Sequence, residues 1–203
     1  MAKKESTFFN MVLVLFLVTL IASTSLGIIY SITKEPIEKA KIAIKITAIN
    51  EVVPTFNNIP LNESSSVKLD KDSLIIYPAT YDGKIVGTAI ESFTNKGFSG
   101  KIRLMIGFLP DGSINNITVL EHKETPGLGD KMEKKKSDFS KQFIGKNPKS
   151  FKLKVTKDGG DVDAITAATI SSRAFCDAIQ NAYSTYLSLE NELIKIDTTQ
   201  VEN

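Results

Sequence analysis

Hydroxyl side chains concentrate in one short segment, where two threonines and two serines stand among small and apolar residues. The segment is Asp163-Ala-Ile-Thr-Ala-Ala-Thr-Ile-Ser-Ser172, and it directly precedes a pattern that predicts a long helix. The first N–H groups of a helix lack intrahelical partners, and the helix dipole favours negative charge at that end. The hydroxyls of Thr166, Thr169, Ser171 and Ser172 therefore stand where a phosphate or another anion could bind. Ordinary N-capping by Ser or Thr is the structural alternative.

A second segment with the character of a binding loop is Glu124-Thr-Pro-Gly-Leu-Gly129, which follows a strand pattern ending at Leu120. Its two glycines allow backbone amides to approach a ligand closely, and its proline fixes the turn. Leu128 offers an apolar contact, while Glu124 and Thr125 offer polar contacts. Taken by itself, the hexapeptide is also typical of a tight surface turn.

Composition narrows the chemistry that these segments can support. The formal net charge is only +2, and no run interleaves basic with aromatic residues, which argues against nucleic acid as a partner. There is one cysteine, Cys176, and one histidine, His122, so no internal disulfide and no Cys/His metal cluster can form. We therefore expect no metal, and any redox chemistry must come from a cofactor that needs no such ligands. His122 is expected to be a neutral surface residue and Cys176 a small buried one.

An apolar N-terminal stretch, Phe8–Tyr30, is long enough for a membrane-spanning helix, which needs about 20 residues. Lys3 and Lys4 precede it and favour a cytoplasmic N-terminus, although further lysines follow on the other side. A cleaved signal peptide is the alternative, with Ala22–Ser25 supplying small residues for the protease. Apolar residues resume at Leu26–Tyr30, which favours an uncleaved anchor. In either case the bulk of the chain leaves the cytoplasm.

Beyond the anchor, the patterns predict a helix and then an antiparallel sheet. Pro36 fits the first turn of a helix that continues to Val53, as a stalk docked on the domain or as a solvated amphipathic spacer. The polar, Ser-rich Asn57–Asp72 is predicted to be a loop. Asp-Gly dipeptides at 82–83 and 111–112 each join two strand patterns into a hairpin. The predicted strands are Ser73–Tyr77, Lys84–Ile90, Lys101–Phe108 and Ser113–Leu120.

Three further elements complete the predicted fold. They are a Lys-rich helical piece at about Asp130–Phe143, a short strand over Phe151–Thr156 and a helix at about Ile170–Leu189. The fold class is α+β, with a single N-terminal transmembrane helix followed by one domain whose antiparallel sheet is flanked by helices. The expected boundaries are residues 1–33 for the membrane anchor, 34–56 for the stalk helix and 57–203 for the extracytoplasmic domain.

The Thr-rich segment resembles a known attachment pattern, Asp-x-x-Ser/Thr-Gly-Ala-Thr. In the FMN-binding domains of two proteins, the final threonine of this pattern carries covalent FMN. The two proteins are the Rnf G subunit and the C subunit of the sodium-pumping quinone reductase. This sequence has Asp163-x-x-Thr166-Ala167-Ala168-Thr169. The loop Glu124–Gly129 resembles the family's Glu-Thr-Pro-Gly-Leu-Gly without departure, and Asn95–Ile102 resembles its Gly-aromatic-x-Gly turn. Phe98 in that turn is a possible contact to the ring, with packing in the core as the favoured role. The resemblance covers the whole chain, and the length favours the Rnf G subunit over the longer protein of the quinone reductase.

The resemblance implies that Thr169 carries FMN through a phosphoester made by a dedicated flavin transferase. Asp163 would be recognised by that transferase or would shape the turn. Ala167 stands where the family usually has glycine, and alanine costs about 1 kcal/mol if the position needs φ > 0. No catalytic residue is expected in the chain itself. The expected cofactor-binding residues are Asp163, Thr166, Ala167, Ala168, Thr169 and Ser171 in the turn, and Glu124, Thr125, Gly127, Leu128 and Gly129 in the loop.

The implied function is electron relay through covalent FMN in an ion-translocating ferredoxin:NAD oxidoreductase, the Rnf complex. The chain would be an electron carrier among other membrane subunits, in the inner (cytoplasmic) membrane with its domain on the extracytoplasmic, periplasmic side. No Gly-x-Gly-x-x-Gly follows a strand pattern, as expected for a protein that does not itself bind NAD. Three alternatives remain: the C subunit of a sodium-translocating NADH:quinone reductase, a stand-alone flavin reductase with His122 as proton donor, and a non-redox scaffold, which only Ala167 favours.

Overall fold

The structure is a computed structural model, which describes residues 7–69 and 72–201, with side chains described as far as residue 189. It divides into two compact units, one up to Ile44 and the other from Lys45 onward. Lys3 and Lys4, on which the predicted membrane topology depends, lie outside the described residues, as do residues 70 and 71 of the predicted loop.

The first helix, α1, runs without interruption from Phe8 to Val52. By length and composition it is the one helix among the described residues that could cross a membrane. Its hydroxyl side chains bond back to carbonyls of the preceding turn, as Ser23 does to Thr19 at 2.7 Å. Such bonds satisfy polar groups inside an apolar helix. Pro36 lies within α1, so the prediction that a helix begins there is wrong; the helix is already formed when it reaches Pro36.

The second unit begins with the last turns of α1, where Ala48, Ile49 and Val52 are buried. They belong to a hydrophobic cluster on one face of the sheet that also includes Met105. A Cβ placed on Gly107 would lie 1.8 Å from the Val52 carbonyl oxygen, so the end of the helix rests directly on the sheet backbone. These residues are therefore docked on the domain and are not a solvated spacer.

The sheet has five strands in the order of the chain, and every neighbouring pair is antiparallel. The turn between the second and third strands has positive φ at both Asp82 and Gly83, the backbone that an Asp-Gly hairpin favours. The predicted hairpins are thus confirmed. The strands are β1 (Ser65–Leu69), β2 (Asp72–Tyr81), β3 (Lys84–Gly97), β4 (Gly100–Phe108) and β5 (Ile114–Glu121).

Two sequence predictions about the strands are wrong. The predicted loop Asn57–Asp72 contains β1, an exposed edge strand whose formation depends on pairing with β2, so it has no buried apolar face to mark it. The third strand continues past Ile90 to Gly97, although Glu91, Ser92 and Thr94 are polar. These three side chains are buried and have hydrogen-bond partners, a tertiary effect that strand propensity does not register.

The opposite face of the sheet is covered by the last helix, α2 (Thr169–Val201), and by short 3-10 helices. Strand periodicity separates the two faces, since Ala89 belongs to the α1 cluster and Ile90 to the α2 cluster. Phe143 and Phe175 pack together under α2 with ring centroids 5.3 Å apart. Cys176 is buried as expected, and burial raises the pKa of its thiol to about 12.

The connection between the sheet and α2 differs from prediction. The Lys-rich stretch forms two 3-10 helices, Gly129–Met132 and Phe139–Phe143, instead of one helical piece. Phe151–Thr156 is not a strand; it folds back on residues 160–162 through a single parallel bridge, Val155 to Val162. The alternation of apolar and basic residues there follows burial, since Leu153 and Val155 are buried while Lys152 and Lys154 are exposed. The fold class is nevertheless confirmed as α+β, with an antiparallel sheet between helices.

Candidate cofactor-binding site

Three segments that are distant in sequence meet around one cavity of about 320 Å³. They are the β3–β4 turn, the loop after β5 and the N-terminus of α2. The cavity is lined by Phe98, Glu124, Thr125, Leu128, Gly129, Ala167, Ala168, Thr169, Ile170 and Ser171. The structure thus brings together most of the site residues expected from sequence. Asp163, Thr166 and Gly127 do not line the cavity.

Glu124 joins the three segments. Its side chain is almost completely buried between them, with 5% of the residue exposed. One carboxylate oxygen, Oε1, accepts the backbone N–H of Ser99 at 2.9 Å. The other, Oε2, accepts the hydroxyl of Ser171. A charge-assisted bond to each neighbouring segment fixes the walls of the cavity relative to one another. Glu124 was expected from the sequence to contact a ligand; its two bonds give it a positioning role as well.

The glycines around Glu124 are required by its side chain. A Cβ on Gly97 would lie 2.7 Å from Glu124 Oε1, and a Cβ on Gly129 would lie 2.7 Å from Oε2 and 2.6 Å from the Ser171 hydroxyl. Real Cβ atoms do not approach so closely, so both positions exclude larger residues. Gly127 differs, since it has φ 78° and no atom near its missing side chain. Gly127 is therefore needed for the shape of the turn, and not to make room for a neighbouring atom.

The Thr-rich turn contains a left-handed residue. Ala167 has φ 61°, so the position that holds glycine in the family's pattern does need positive φ here. Ser172 holds the turn in place, because its Oγ accepts the Ile165 N–H at 2.9 Å and donates to the Ala168 carbonyl at 3.0 Å. This supporting role was missed from sequence, where Ser172 is one of several hydroxyls at a helix start.

Burial and bonding distinguish the four hydroxyls of the turn. Thr166 is exposed and lies outside the cavity. Ser171 and Ser172 are buried, and both hydroxyls are already used within the protein. Thr169 is half-buried, is the first residue of α2 and lines the cavity. It is therefore the hydroxyl of this turn that combines access, cavity position and a helix N-terminus.

His122 lies behind the loop and does not line the cavity. Its Nε2–H donates to Glu133 Oε1 at 2.7 Å, and its Nδ1 accepts the backbone N–H of Glu124 at 3.1 Å, which assigns the neutral tautomer. The side chain is only 13% exposed, so the prediction of a surface histidine is wrong. Lys136 and then His122 lower the pKa of Glu133. His122 supports the loop and is not placed to donate a proton into the cavity.

Apolar side chains project around the mouth of the cavity. Phe98 is 68% exposed, so the expectation that it packs in the core is wrong. Leu128 and Ile170 are also large apolar residues with substantial exposure. Exposed apolar residues grouped around a cavity indicate a surface that a ligand or partner covers. Such a rim suits a flat, apolar ring system.

Comparison with known proteins identifies the family. Residues 97–184 match the family described as FMN-binding domain. The G subunit of the ion-translocating oxidoreductase complex of Shewanella baltica is 35% identical over 82% of this chain and 85% of its own length. The G subunit of the Haemophilus influenzae complex is 36% identical, over 92% and 93%, respectively. The chain belongs to the G-subunit family of ion-translocating oxidoreductase complexes. The alternative of the quinone reductase protein is not favoured by these relatives.

The observed cavity fits the FMN-binding domain of a G-subunit family member. Every residue that lines the cavity falls within the matched residues 97–184. The N-terminus of α2 offers N–H groups and a dipole to a phosphate, and Thr169 stands at that point. The apolar rim offers cover for the ring system. Among the described residues no group of His, Cys, Asp and Glu could hold a metal ion.

Proposed function

We propose that this G-subunit family member relays electrons within an Rnf-type ion-translocating oxidoreductase complex, through FMN joined to Thr169 by a phosphoester. The position of the Thr169 hydroxyl carries the proposal: it lies in the cavity at the start of α2, whereas the other hydroxyls of the turn are outside the cavity or already bonded. The match to an FMN-binding domain and the G-subunit relatives support the same assignment. The chain would be an electron carrier within the complex.

Attachment needs an accessible hydroxyl and a recognisable segment around it. The Thr169 oxygen would bond to the flavin-bearing phosphate of FAD as the pyrophosphate bond breaks, with AMP leaving and the hydroxyl proton passing to a base of the flavin transferase. Asp163 and Thr166 are exposed and lie outside the cavity, where a second protein can contact them. The backbone of Asp163 is fixed by Gln142, which accepts its N–H at 2.9 Å and donates to its carbonyl at 3.2 Å.

Each part of the site has a separate task in this proposal. The N-terminus of α2 holds the phosphate, which a helix dipole stabilises by about 0.3–1 kcal/mol. Phe98, Leu128 and Ile170 cover the ring and exclude water from part of it. Glu124 fixes the walls of the cavity and contributes a carboxyl group to its lining. When bound, FMN supplies electron transfer in single steps, and the protein tunes its potential through nearby charge and hydrogen bonds.

The proposed location is the cytoplasmic membrane, with the domain on the extracytoplasmic side. The apolar part of α1 supports an anchor over residues 1–33, since charged residues begin again at Lys34. Ion pairs on the following turns, Glu35 with Lys39 at 2.7 Å and Glu38 with Lys41 at 3.2 Å, suit an aqueous first part of the stalk over residues 34–56, whose last turns dock on the domain. The domain from residue 57 onward would carry the flavin.

The relay role can be tested in membranes that contain the whole complex. Thr169→Val should remove flavin fluorescence from the denatured protein and stop electron flow through the complex, whereas Thr156→Val should preserve both. The second variant makes the same change at an exposed threonine that lies outside both the cavity and the attachment pattern. The proposal fails if Thr169→Val leaves electron flow unchanged. It also fails if the denatured wild-type protein carries no flavin.

A further inference from the structure

Positive charge is concentrated in one segment of the domain. Residues 146–157 contain five lysines and no acidic residue. The chain as a whole has a formal charge of only +2, so the remaining residues carry a net −3. Such asymmetry indicates a surface that meets a negatively charged partner.

This segment forms one wall of a large open groove of about 1040 Å³. We call this surface the basic groove; its charged lining residues are Lys96, Lys152, Lys154, Arg173, Asp158 and Asp177. The groove has an apolar floor that includes Leu153 and Ala174. Ile170 lines both the groove and the cofactor cavity, so the two are neighbours on either side of the start of α2.

Part of the positive charge in the groove is already neutralised. Lys96 pairs with Asp177 at 2.6 Å, and Arg173 pairs with Asp158 at 2.7 Å. The Arg173 guanidinium lowers the pKa of Asp158, which keeps this pair ionised. No described carboxylate lies within ion-pair distance of Lys152 or Lys154. These two ammonium groups are therefore the excess charge of the groove.

The backbone holds Lys152 and Lys154 in fixed positions. The N–H of Lys152 donates to Asp161 Oδ2 at 2.7 Å, and its carbonyl accepts the Asp161 N–H at 3.1 Å. The carbonyl of Lys154 accepts the Val162 N–H at 3.0 Å. A Cβ on Gly160 would lie 2.0 Å from the Lys154 carbonyl oxygen, so the two arms of the turn are in direct contact. A preorganised wall loses little entropy when a partner binds.

We propose that the basic groove docks an acidic segment of the protein that exchanges electrons with the flavin. The inference rests on the proposed function, because the groove would bring the partner close to a flavin carried at Thr169. Charge complementarity identifies the chemistry of the partner, with its carboxylates meeting Lys152 and Lys154. The apolar floor and concave shape suit the side chains of a protein segment, whereas a membrane of anionic lipids presents a flat surface.

Carbodiimide cross-linking of the purified complex tests the contact, since this reagent joins an amine to a carboxylate that it touches. We expect peptide mass spectrometry to find Lys152 or Lys154 joined to Asp or Glu of another protein of the complex. Cross-links from these lysines only to carboxylates of this chain would overturn the proposal. The proposal would also be overturned if vesicles of anionic lipid protected both lysines from acylation and no cross-link between proteins were found. That result would assign the groove to the membrane.

A charge-reversal pair measures the consequence for electron transfer. Lys152→Glu with Lys154→Glu should slow reduction of the flavin in the complex on the order of tenfold at low ionic strength and much less at high salt. The matched control is Lys68→Glu with Lys84→Glu, the same charge change at exposed strand positions. Equal rates in the two variants would overturn the proposal. Flavin content, measured on the same samples, reports separately on the proposed attachment at Thr169.

Discussion

Among the residues that the structure describes, two glutamates of the domain are buried, Glu91 on β3 and Glu124 in the loop after β5, and they are stabilised in different ways. Glu91, which is 2% exposed, pairs with Lys45 at 2.9 Å and with Arg103, and it accepts the Tyr77 hydroxyl at 3.1 Å. Glu124 is as deeply buried, but both of its bonds come from neutral donors, a backbone N–H and a hydroxyl. No cation pairs with it among the described residues.

This difference separates a structural charge from a functional one. Glu91 has two cationic partners, one of them on the last turns of α1, so its charge is neutralised where the helix docks on the sheet. Glu124 has no cationic partner among the described residues, and its carboxyl group lines the cavity, where it can act on a bound group. Preorganised charge in a water-poor site has a strong effect on the chemistry there. We therefore expect changes at Glu91 to affect stability and changes at Glu124 to affect the cofactor.

The largest effect is expected for Glu91→Ala. Removing one member of a buried ion cluster leaves its partners uncompensated and typically costs about 3–5 kcal/mol. Lys45 and Arg103 are partly exposed, so we expect roughly 3 kcal/mol at the low end of that range. Urea unfolding measures the loss, with Glu121→Ala as the control at an exposed strand end. An unfolding free energy within experimental error of wild type would contradict the structural role of Glu91.

The second effect is expected on the flavin potential in Glu124→Gln. Glutamine preserves the shape but removes the negative charge, which makes electron uptake easier. We expect the one-electron potential to rise by roughly 60 mV, a tenfold change in the equilibrium. Redox titration followed by flavin absorbance measures this shift, and Glu121→Gln serves as the control. If Glu124→Gln loses as much stability as Glu91→Ala and shows no potential shift, the comparison fails.

A smaller effect is expected for Ala167→Gly. Glycine adopts positive φ without strain, so the variant should be more stable by about 0.5–1 kcal/mol. It should also take up flavin at least as completely as the wild type. The control is Ala168→Gly. Ala168 does not have a positive φ, so glycine relieves no strain there and we expect no gain in stability. Equal stabilisation by both changes would show that the strain at Ala167 is not the cause.

The smallest effect is expected on the pH dependence of stability, through Glu133, which bonds to the His122 side chain that supports the loop of Glu124. Lys136 and His122 lower the pKa of Glu133 below its ordinary value of 4.5, so the folded state favours its ionised form. This contribution to stability is present above pH 4.5 and is lost as the pH falls through the lower folded pKa. Lys136 also contacts Asp130 at 3.2 Å. Glu133→Gln should flatten the acid limb of stability against pH, and an unchanged limb would contradict the role of this network.

Local turn chemistry made much of the fold predictable. The Asp-Gly dipeptides located both hairpins, because positive φ at the turn is a property of a few residues. Elements that depend on distant partners were not predictable: β1 forms by edge pairing, and the polar half of β3 is held by buried bonds to α2 and to Tyr77. The Phe151–Thr156 pattern was misleading because its side chains alternate between buried and exposed, as in a strand, although the backbone makes only one isolated bridge, from Val155 to Val162.

The candidate site shows the same division between local and tertiary effects. The motifs supplied most of the residues that line the cavity, but not Phe98 and Ile170 at its rim. The φ of 61° at Ala167 meets the condition under which alanine strains the turn. Ser99, Ser172 and His122 were not found as supporting residues, because nothing in their sequence neighbourhood shows which distant atom they contact. Their role is visible only when the three segments are brought together.

The most direct test of the account is peptide mass mapping of the protein purified from a host with an active flavin transferase. The account predicts a mass gain equal to FMN less one water on the peptide that contains Asp163–Ser172, located at Thr169 and absent in Thr169→Val. An unmodified peptide from that host would contradict covalent attachment. A gain located at Thr166 or Ser171 would contradict the assignment of the attachment residue.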